Sequence, residues 1–297
     1  MSMLQELLQI VLDEGASDLH LVPDLPPLLR VHTVIKPVPG YPPLTGQQTE
    51  QFVREMVRED RLAVLEQKRD LDFSTKLAGK GRFRVNAHYQ RDVIAVAFRA
   101  ISDHVPPLSD LNLPPAIAKF VDMPRGLVLV TGETGVGKST TLASMIDAMN
   151  QRYNHHVITL EDPIEYELHS NKCVIEQREL GSDVPTFASG LRHALRQDPD
   201  ILLVGEMRDL ETTSAAITAA ETGHLVLSTM HTQNASQTVE RIVDIYPAAQ
   251  QNQIRAMLAN TLQAVVSQTL FRRVDREGMI PACEVMLCTS AVRSCIR

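Results

Sequence analysis

Residues 132–139 read GETGVGKS, three glycines spaced through a loop that ends in lysine and a hydroxyl residue. Glycine lets backbone amides close around phosphate oxygens, the lysine supplies a point charge for the β- and γ-phosphates, and the hydroxyl can ligate Mg²⁺. An apolar run, GLVLVTG, leads into the loop, and the helical segment STTLASMIDAMNQ leaves it. That context, with the positive end of a helix dipole at the loop, predicts a nucleotide site formed by Gly132, Thr134, Gly135, Val136, Gly137, Lys138, Ser139 and Thr140.

Three more apolar runs end on chemical residues: HVITLE at Glu161, ILLVGE at Glu206 and HLVLSTMH at His231. In open α/β sheets ligands bind beyond the carboxyl ends of parallel strands, so the four ends predict one site. Glu206 is placed to orient or deprotonate the attacking water of ATP hydrolysis, and with Ser139 it is the candidate magnesium pair. Gly205 stands where a magnesium-associated aspartate is common. Glu161, Asp162 and Glu165 crowd a second strand end, a costly arrangement unless a cation or water network shares it. One or two of them should touch Mg²⁺ or its waters, and the sequence does not choose which.

His231, at a carboxyl strand end, is placed to sense the γ-phosphate. His224 opens the same run seven residues before His231, about 20 Å away in extended chain and on the opposite face, so the two histidines do not easily share a metal ion. Arginines able to act across a subunit interface include Arg82, Arg84, Arg99, Arg192 and Arg196. Arg84 and Arg99 are favoured, because Arg84 lies on the polar face of the alternating segment GRFRVNAHYQ.

Positioning these residues requires two domains. Helical spacing over residues 3–12 and 45–66, strand-like runs SDLHLV and PPLLRVHTVIKPV, and two strands around the dipeptide RD predict an N-terminal α+β domain over residues 1–101. Residues 102–115, SDHVPPLSDLNLPP, hold four prolines and read as a linker. From residue 116 to 297, apolar runs alternate with helical segments, the pattern of an α/β fold with a mostly parallel sheet.

The formal net charge of −7 over 297 residues argues against nucleic-acid wrapping, which draws on Lys and Arg. No apolar run approaches the roughly 20 residues that cross a bilayer, and the start of the chain lacks a signal-peptide pattern, so a cytoplasmic protein is expected. Cysteines at 173, 283, 288 and 295 form no CxxC pair and suggest neither zinc nor a disulfide framework.

The chain resembles the type IV pilus retraction (twitching motility) ATPases of the type II/IV secretion ATPase superfamily. The resemblance rests on SDLHL at 17–21, GRFRVNA at 81–87, GETGVGKSTT at 132–141, TLEDPIEY at 159–166, ALRQDPDILLVGEMRD at 194–209, AAETGHLVLSTMHT at 219–232, SQTL at 267–270 and AVRSCIR at 291–297. It implies a homohexamer in which a PAS-like N-terminal domain packs on the RecA-like domain of its neighbour, with ATP between the two domains. It implies a motor at the cytoplasmic face of the inner membrane, peripheral to it and engaged with a platform protein and the pilus machinery. It assigns Glu161, Asp162 and Glu165 to an Asp box, His224 and His231 to a His box, and Arg84 and Arg99 to trans-acting arginines. It ties AVRSCIR to retraction. Glu133 replaces the family's usual proline, and the chain stops at a motif beyond which relatives continue, so a shortened C-terminus is expected. Pilus-assembly and type II secretion ATPases usually carry a tetracysteine insertion where this chain has FRRVDREGMIPAC. An accessory retraction paralogue is a nearer alternative, and a nucleic-acid translocase a distant one.

Overall fold

In the computed structural model, which describes residues 2–31, 34–77, 81–101, 104–275 and 278–297, contacts divide the chain into two units, Met1–Asp103 and His104–Arg297. The first unit begins with helix α1 (Met3–Asp13), whose start is closed by a reciprocal capping box between Ser2 and Gln5. Strands β1 (Asp18–Leu21), β2 (Leu28–Val31) and β3 (Val34–Pro37) follow, then helices α2 (Gly46–Met56) and α3 (Glu59–Lys68), then strands β4 (Asp70–Leu77), β5 (Gly81–Gln90) and β6 (Val93–Ile101). Among the described residues they form a six-stranded antiparallel sheet in the order β3-β2-β1-β6-β5-β4.

The alternation in β5 does what its period requires. Phe83, Val85 and Ala87 are fully buried against the helices, leaving Arg82, Arg84, Asn86 and His88 on the other face. Arg91 and Asp92 turn β5 into β6 with both φ angles positive, as a tight primed hairpin demands. Two expectations change. The helical stretch over residues 45–66 is two helices, because Val57 and Arg58 are extended between them, and the run spanning residues 26–38 contains two strands.

The second unit opens with a 3₁₀ turn (Leu108–Leu111), the short helix α4 (Pro115–Ala118) and a second 3₁₀ turn (Lys119–Asp122), and continues β7 (Gly126–Thr131), α5 (Lys138–Arg152), β8 (His156–Glu161), β9 (Val174–Glu179), α6 (Phe187–Ala194) and β10 (Ile201–Val204). It closes with α7 (Leu210–Glu221), β11 (Leu225–Met230), α8 (Ala235–Asp244), α9 (Ala248–Thr261), β12 (Leu262–Arg272), β13 (Met279–Leu287) and α10 (Ser290–Ile296). The seven-stranded sheet among the described residues runs β13-β12-β7-β11-β10-β8-β9, parallel except for β12 against β13.

Both faces of this sheet are covered. Leu127 and Leu129 of β7 enter one apolar cluster, while Val128 and Val130 enter the other, which is why the run reads as continuous apolar sequence. The segment read as a linker belongs from His104 onward to this unit. Ser144 of α5 donates to the Pro106 carbonyl at 2.7 Å, and Leu108 and Leu113 pack against one core cluster. Its first two residues, 102 and 103, lie outside the described residues.

Candidate nucleotide site

Strand register brings the chemical residues to one edge. Thr131 pairs with Met230, and Val204 pairs with both Ser228 and Leu160. Gly132, Glu161, Glu206 and His231 therefore leave the sheet at its carboxyl side.

The loop between β7 and α5 has its glycines for two reasons. Gly132 lies so close to β12 that a Cβ there would collide with the Gln268 carbonyl oxygen. Gly135 and Gly137 adopt φ of 84° and 89°, the left-handed region that strains any other residue. Gly137 is the N-cap of α5, and no side chain caps this helix. Helices α1, α2, α6, α7, α8 and α10, by contrast, begin on serine, threonine, aspartate or asparagine side chains. The first-turn amides of α5 and the positive end of its dipole are thus left to an anion.

Lys138 is 8% exposed. Its Nζ donates to the Gly132 and Glu133 carbonyls, both at 2.8 Å, so the loop fixes the ammonium and one of its three N–H groups remains for a phosphate oxygen. Burial pulls the Lys138 pKa down, Glu206 and Glu165 draw it back up, and Arg208 opposes them. Ser139, in the first turn of α5, makes no hydrogen bond among the described residues, whereas the neighbouring Thr140 hydroxyl is 2.9 Å from the Tyr166 hydroxyl. Thr134 and Val136 lie within the loop.

The three carboxylates after β8 have different environments. Glu161 is tied inward, accepting from Thr159 Oγ1 at 2.6 Å and Gln177 Nε2 at 2.9 Å. Burial pushes its pKa up, against the hydrogen bonds from Thr159, Gln177 and the Glu165 backbone. Asp162 and Glu165 are exposed, and Glu165 is the one whose charge is felt by Lys138. Strand β9 holds this loop. Gln177 also donates to the Tyr166 carbonyl at 2.8 Å, and Glu179 accepts from the Ile164 amide at 3.2 Å.

Glu206 is gripped from two sides. Arg208 Nε lies 2.6 Å from Oε1, and His231 Nε2 lies 3.2 Å from Oε2. A carboxylate only accepts, so Nε2 carries the hydrogen in this pair. Gly205 before it is explained by crowding, since a Cβ would meet the Leu160 carbonyl oxygen at 3.1 Å, while its own amide donates to that oxygen at 2.7 Å. An aspartate there would require the Leu160 carbonyl to give by a few tenths of an ångström.

His224 does not join the site within this unit. It precedes β11 at the opposite, amino end of the strand, where its Nδ1 lies 2.9 Å from the Ala219 carbonyl at the end of α7. Arg192, on α6, faces Glu211 at 3.8 Å, and Arg196 lies just beyond the end of that helix at Ala194. In the N-terminal unit Arg84 and Arg99 are cross-strand partners. Arg99 Nε donates to the buried Asp18 carboxylate at 2.9 Å, Arg82 donates to Ser74, and Arg84 has no hydrogen bond or ion pair among the described residues. Arg208, Gln177 and Glu179 escape a reading by strand ends. Arg208 had one signal, a basic residue two positions after a strand-end glutamate.

A glycine-rich loop wrapped on an uncapped helix, a fixed lysine and a gripped glutamate at one edge of a parallel sheet define a RecA-like P-loop ATPase. The chain belongs to the family described as "Type II/IV secretion system protein", whose model matches residues 108–294. It is 45% identical over 292 residues to the Pseudomonas aeruginosa protein named "Type IV pilus retractation ATPase PilT", covering 98% of this chain and 84% of that one. It is 38% identical to "Type IV pilus ATPase PilU" of the same organism, covering 99% of this chain and 76% of the relative. The solved structure described as the pilus retraction motor PilT with bound ADP superposes with a TM-score of 0.94 at 43% identity, over 100% of this chain and 86% of that one. No helix among the described residues is long and apolar enough to cross a membrane.

Proposed function

We propose that this chain is the ATP-hydrolysing motor of type IV pilus retraction. It works as a homohexamer, peripheral to the cytoplasmic face of the inner membrane, and engages a platform protein. The observation that carries the reading is a likeness to a retraction ATPase that runs through both units, not through the nucleotide-binding unit alone. In the proposed mechanism the loop of residues 132–140 and Lys138 hold the triphosphate, and Glu206 orients water for attack on the γ-phosphorus. Glu165, with Asp162 nearby in sequence, serves the metal's water shell, and Glu161 braces that loop. Arg84 and Arg99 supply charge to the nucleotide of a neighbouring copy.

Mg²⁺ fits the residues present. Ser139 offers an uncommitted hydroxyl beside the phosphate loop, and Glu206 and Glu165 lie near enough to Lys138 to act on its charge. No group of three or more metal-binding side chains occurs among the described residues, as expected for an ion that keeps most of its waters and takes the rest of its ligands from phosphate. When bound, the ion neutralises charge on the transferring phosphoryl group.

Complementation tests the proposal. Expression in a piliated, retraction-deficient strain should restore twitching. Glu206→Gln should abolish twitching and lower ATP turnover at least about a hundredfold while retaining ATP binding. A wild-type chain that hydrolyses ATP and restores no twitching, alone or beside a main retraction motor, would overturn it.

A further inference from the structure

Beyond Glu206 the site opens into a cleft of about 280 Å³ lined by Glu206, Met207, Arg208, Met230, His231, Thr232 and Arg241. Nucleotide binding does not account for its chemistry. Arg241, on α8, is exposed and has neither hydrogen bond nor ion pair among the described residues. Two guanidiniums face this space against a single carboxylate. The Thr232 hydroxyl is not a further donor. Thr238 gives its hydrogen to the Asn234 carbonyl at 2.8 Å, so the 2.7 Å contact between the two threonines uses the Thr232 hydrogen. Met207 and Met230, 2% and 3% exposed, give the cleft an apolar floor, which weakens screening of the charges above it.

We propose that this cleft is a binding subsite for inorganic phosphate, the path by which the cleaved γ-phosphate leaves, with Arg241 and Arg208 as its donors. The proposal rests on the ATPase reading of the site and is independent of pilus retraction. Hydrolysis forms a bond from water oxygen to the γ-phosphorus and breaks the bond from that phosphorus to the β–γ bridging oxygen, which departs with ADP. Glu206 takes the proton from water. The Arg208 guanidinium, 2.6 Å from that carboxylate, lines the same cleft and offers its remaining donors to the phosphate dianion formed beside it. Arg241 offers the next cation along the cleft, with no internal partner to displace. Phosphate is therefore handed outward past His231 instead of escaping back through the loop that still holds ADP.

Product inhibition tests this on the full chain. Steady-state ATP turnover is measured against added inorganic phosphate, and separately against added ADP, for the wild type, Arg241→Gln and Arg241→Lys. Loss of one charge-assisted hydrogen bond should weaken phosphate inhibition about tenfold in Arg241→Gln. Lysine should recover most of that loss, and ADP inhibition should stay within about twofold, since the base and the α- and β-phosphates bind elsewhere. In single-turnover experiments with a fluorescent phosphate reporter, Arg241→Gln should also change the rate of phosphate appearance relative to bond cleavage. Equal phosphate inhibition in wild type and Arg241→Gln would overturn the proposal. So would a parallel loss of ADP inhibition, or a change confined to the oligomeric state, which would mean that Arg241 meets an acidic side chain of another copy.

Discussion

At the level of single residues, the carboxylates after β8 illustrate how burial separates groups that sequence presents as equivalents. Glu161, Asp162 and Glu165 stand within five positions, yet Glu161 is held inward by Thr159 and Gln177, whereas Glu165 is exposed and its charge is felt by Lys138. Glu161 is therefore a brace whose charge is expensive. Its folded pKa is raised by burial, so its contribution to stability is present under acid conditions and is lost as pH rises through the raised value. Glu161→Gln removes that loss while keeping an oxygen acceptor for Thr159 and Gln177. The melting temperature of the variant relative to wild type should be more favourable near about pH 8 than near about pH 4.5, as measured by thermal unfolding at both. An equal difference at the two pH values would show that the Glu161 carboxyl does not titrate with folding. The same crowding logic accounts for Gly205, a departure from the usual acidic residue that looks like weakness in sequence and proves to be the close approach of β10 to β8.

Whole elements were legible where burial is complete on both faces. GLVLVT, HVITLE, ILLV and LVLSTM announce β7, β8, β10 and β11 because only small hydroxyl side chains, Thr159, Ser228 and Thr229, interrupt their apolar interiors. Edge strands carry no such signal: in β9, VIEQRE, exposed and half-buried residues mix, so Gln177 and Glu179 were invisible as supports of the 162–168 loop. The break at Val57 likewise leaves no proline or glycine to mark it. The AVRSCIR segment was legible only by resemblance, and its local physics differs from a free tail. Ile296 is buried in the core, and the Arg293 guanidinium donates to the Ala259 and Asn260 carbonyls at the end of α9, to the Cys288 carbonyl and to Gln263 Oε1. A cation that satisfies orphan carbonyls at a helix C-terminus is favoured by both hydrogen bonding and the dipole. Arg293→Ala should therefore cost about 2 kcal/mol, read from the denaturation midpoint at constant slope, and Arg293→Lys about half of that. An unchanged midpoint in Arg293→Ala would leave α10 without this anchor and return the segment to a purely functional role.

For the molecule as a whole, the decisive feature is that each unit closes its own apolar core while the candidate site residues are divided between them. The buried members of one core cluster end at Phe98, with Ala100 packed against it, and those of the other two begin at Ile117, with Leu108 and Leu113 packed against one of them. The phosphate loop, Glu165, Glu206 and His231 all belong to the second unit, whereas the candidate trans-acting arginines, Arg84 and Arg99, belong to the first. Arg84 and Arg99 are cross-strand neighbours of like charge, an arrangement that costs stability unless an anion is supplied; Asp18 offsets it for Arg99 alone. The chain of residues 104–297 should consequently fold cooperatively by itself and bind ADP within a few-fold of the full chain, since every group that holds the nucleotide in this unit is retained. Its turnover should fall by about a hundredfold or more, because an arginine that stabilises transition-state charge is worth roughly 10³–10⁵ in rate. Truncation alone would also fail if it only dissolved the ring, so the full-length pair Arg84→Ala and Arg99→Ala is measured beside it, with oligomeric state read by light scattering. Turnover that collapses in an assembled double variant assigns the loss to charge supplied by the N-terminal sheet. Turnover that survives there would confine catalysis to the second unit and leave the arginine row as an anion-binding face without a part in the chemical step.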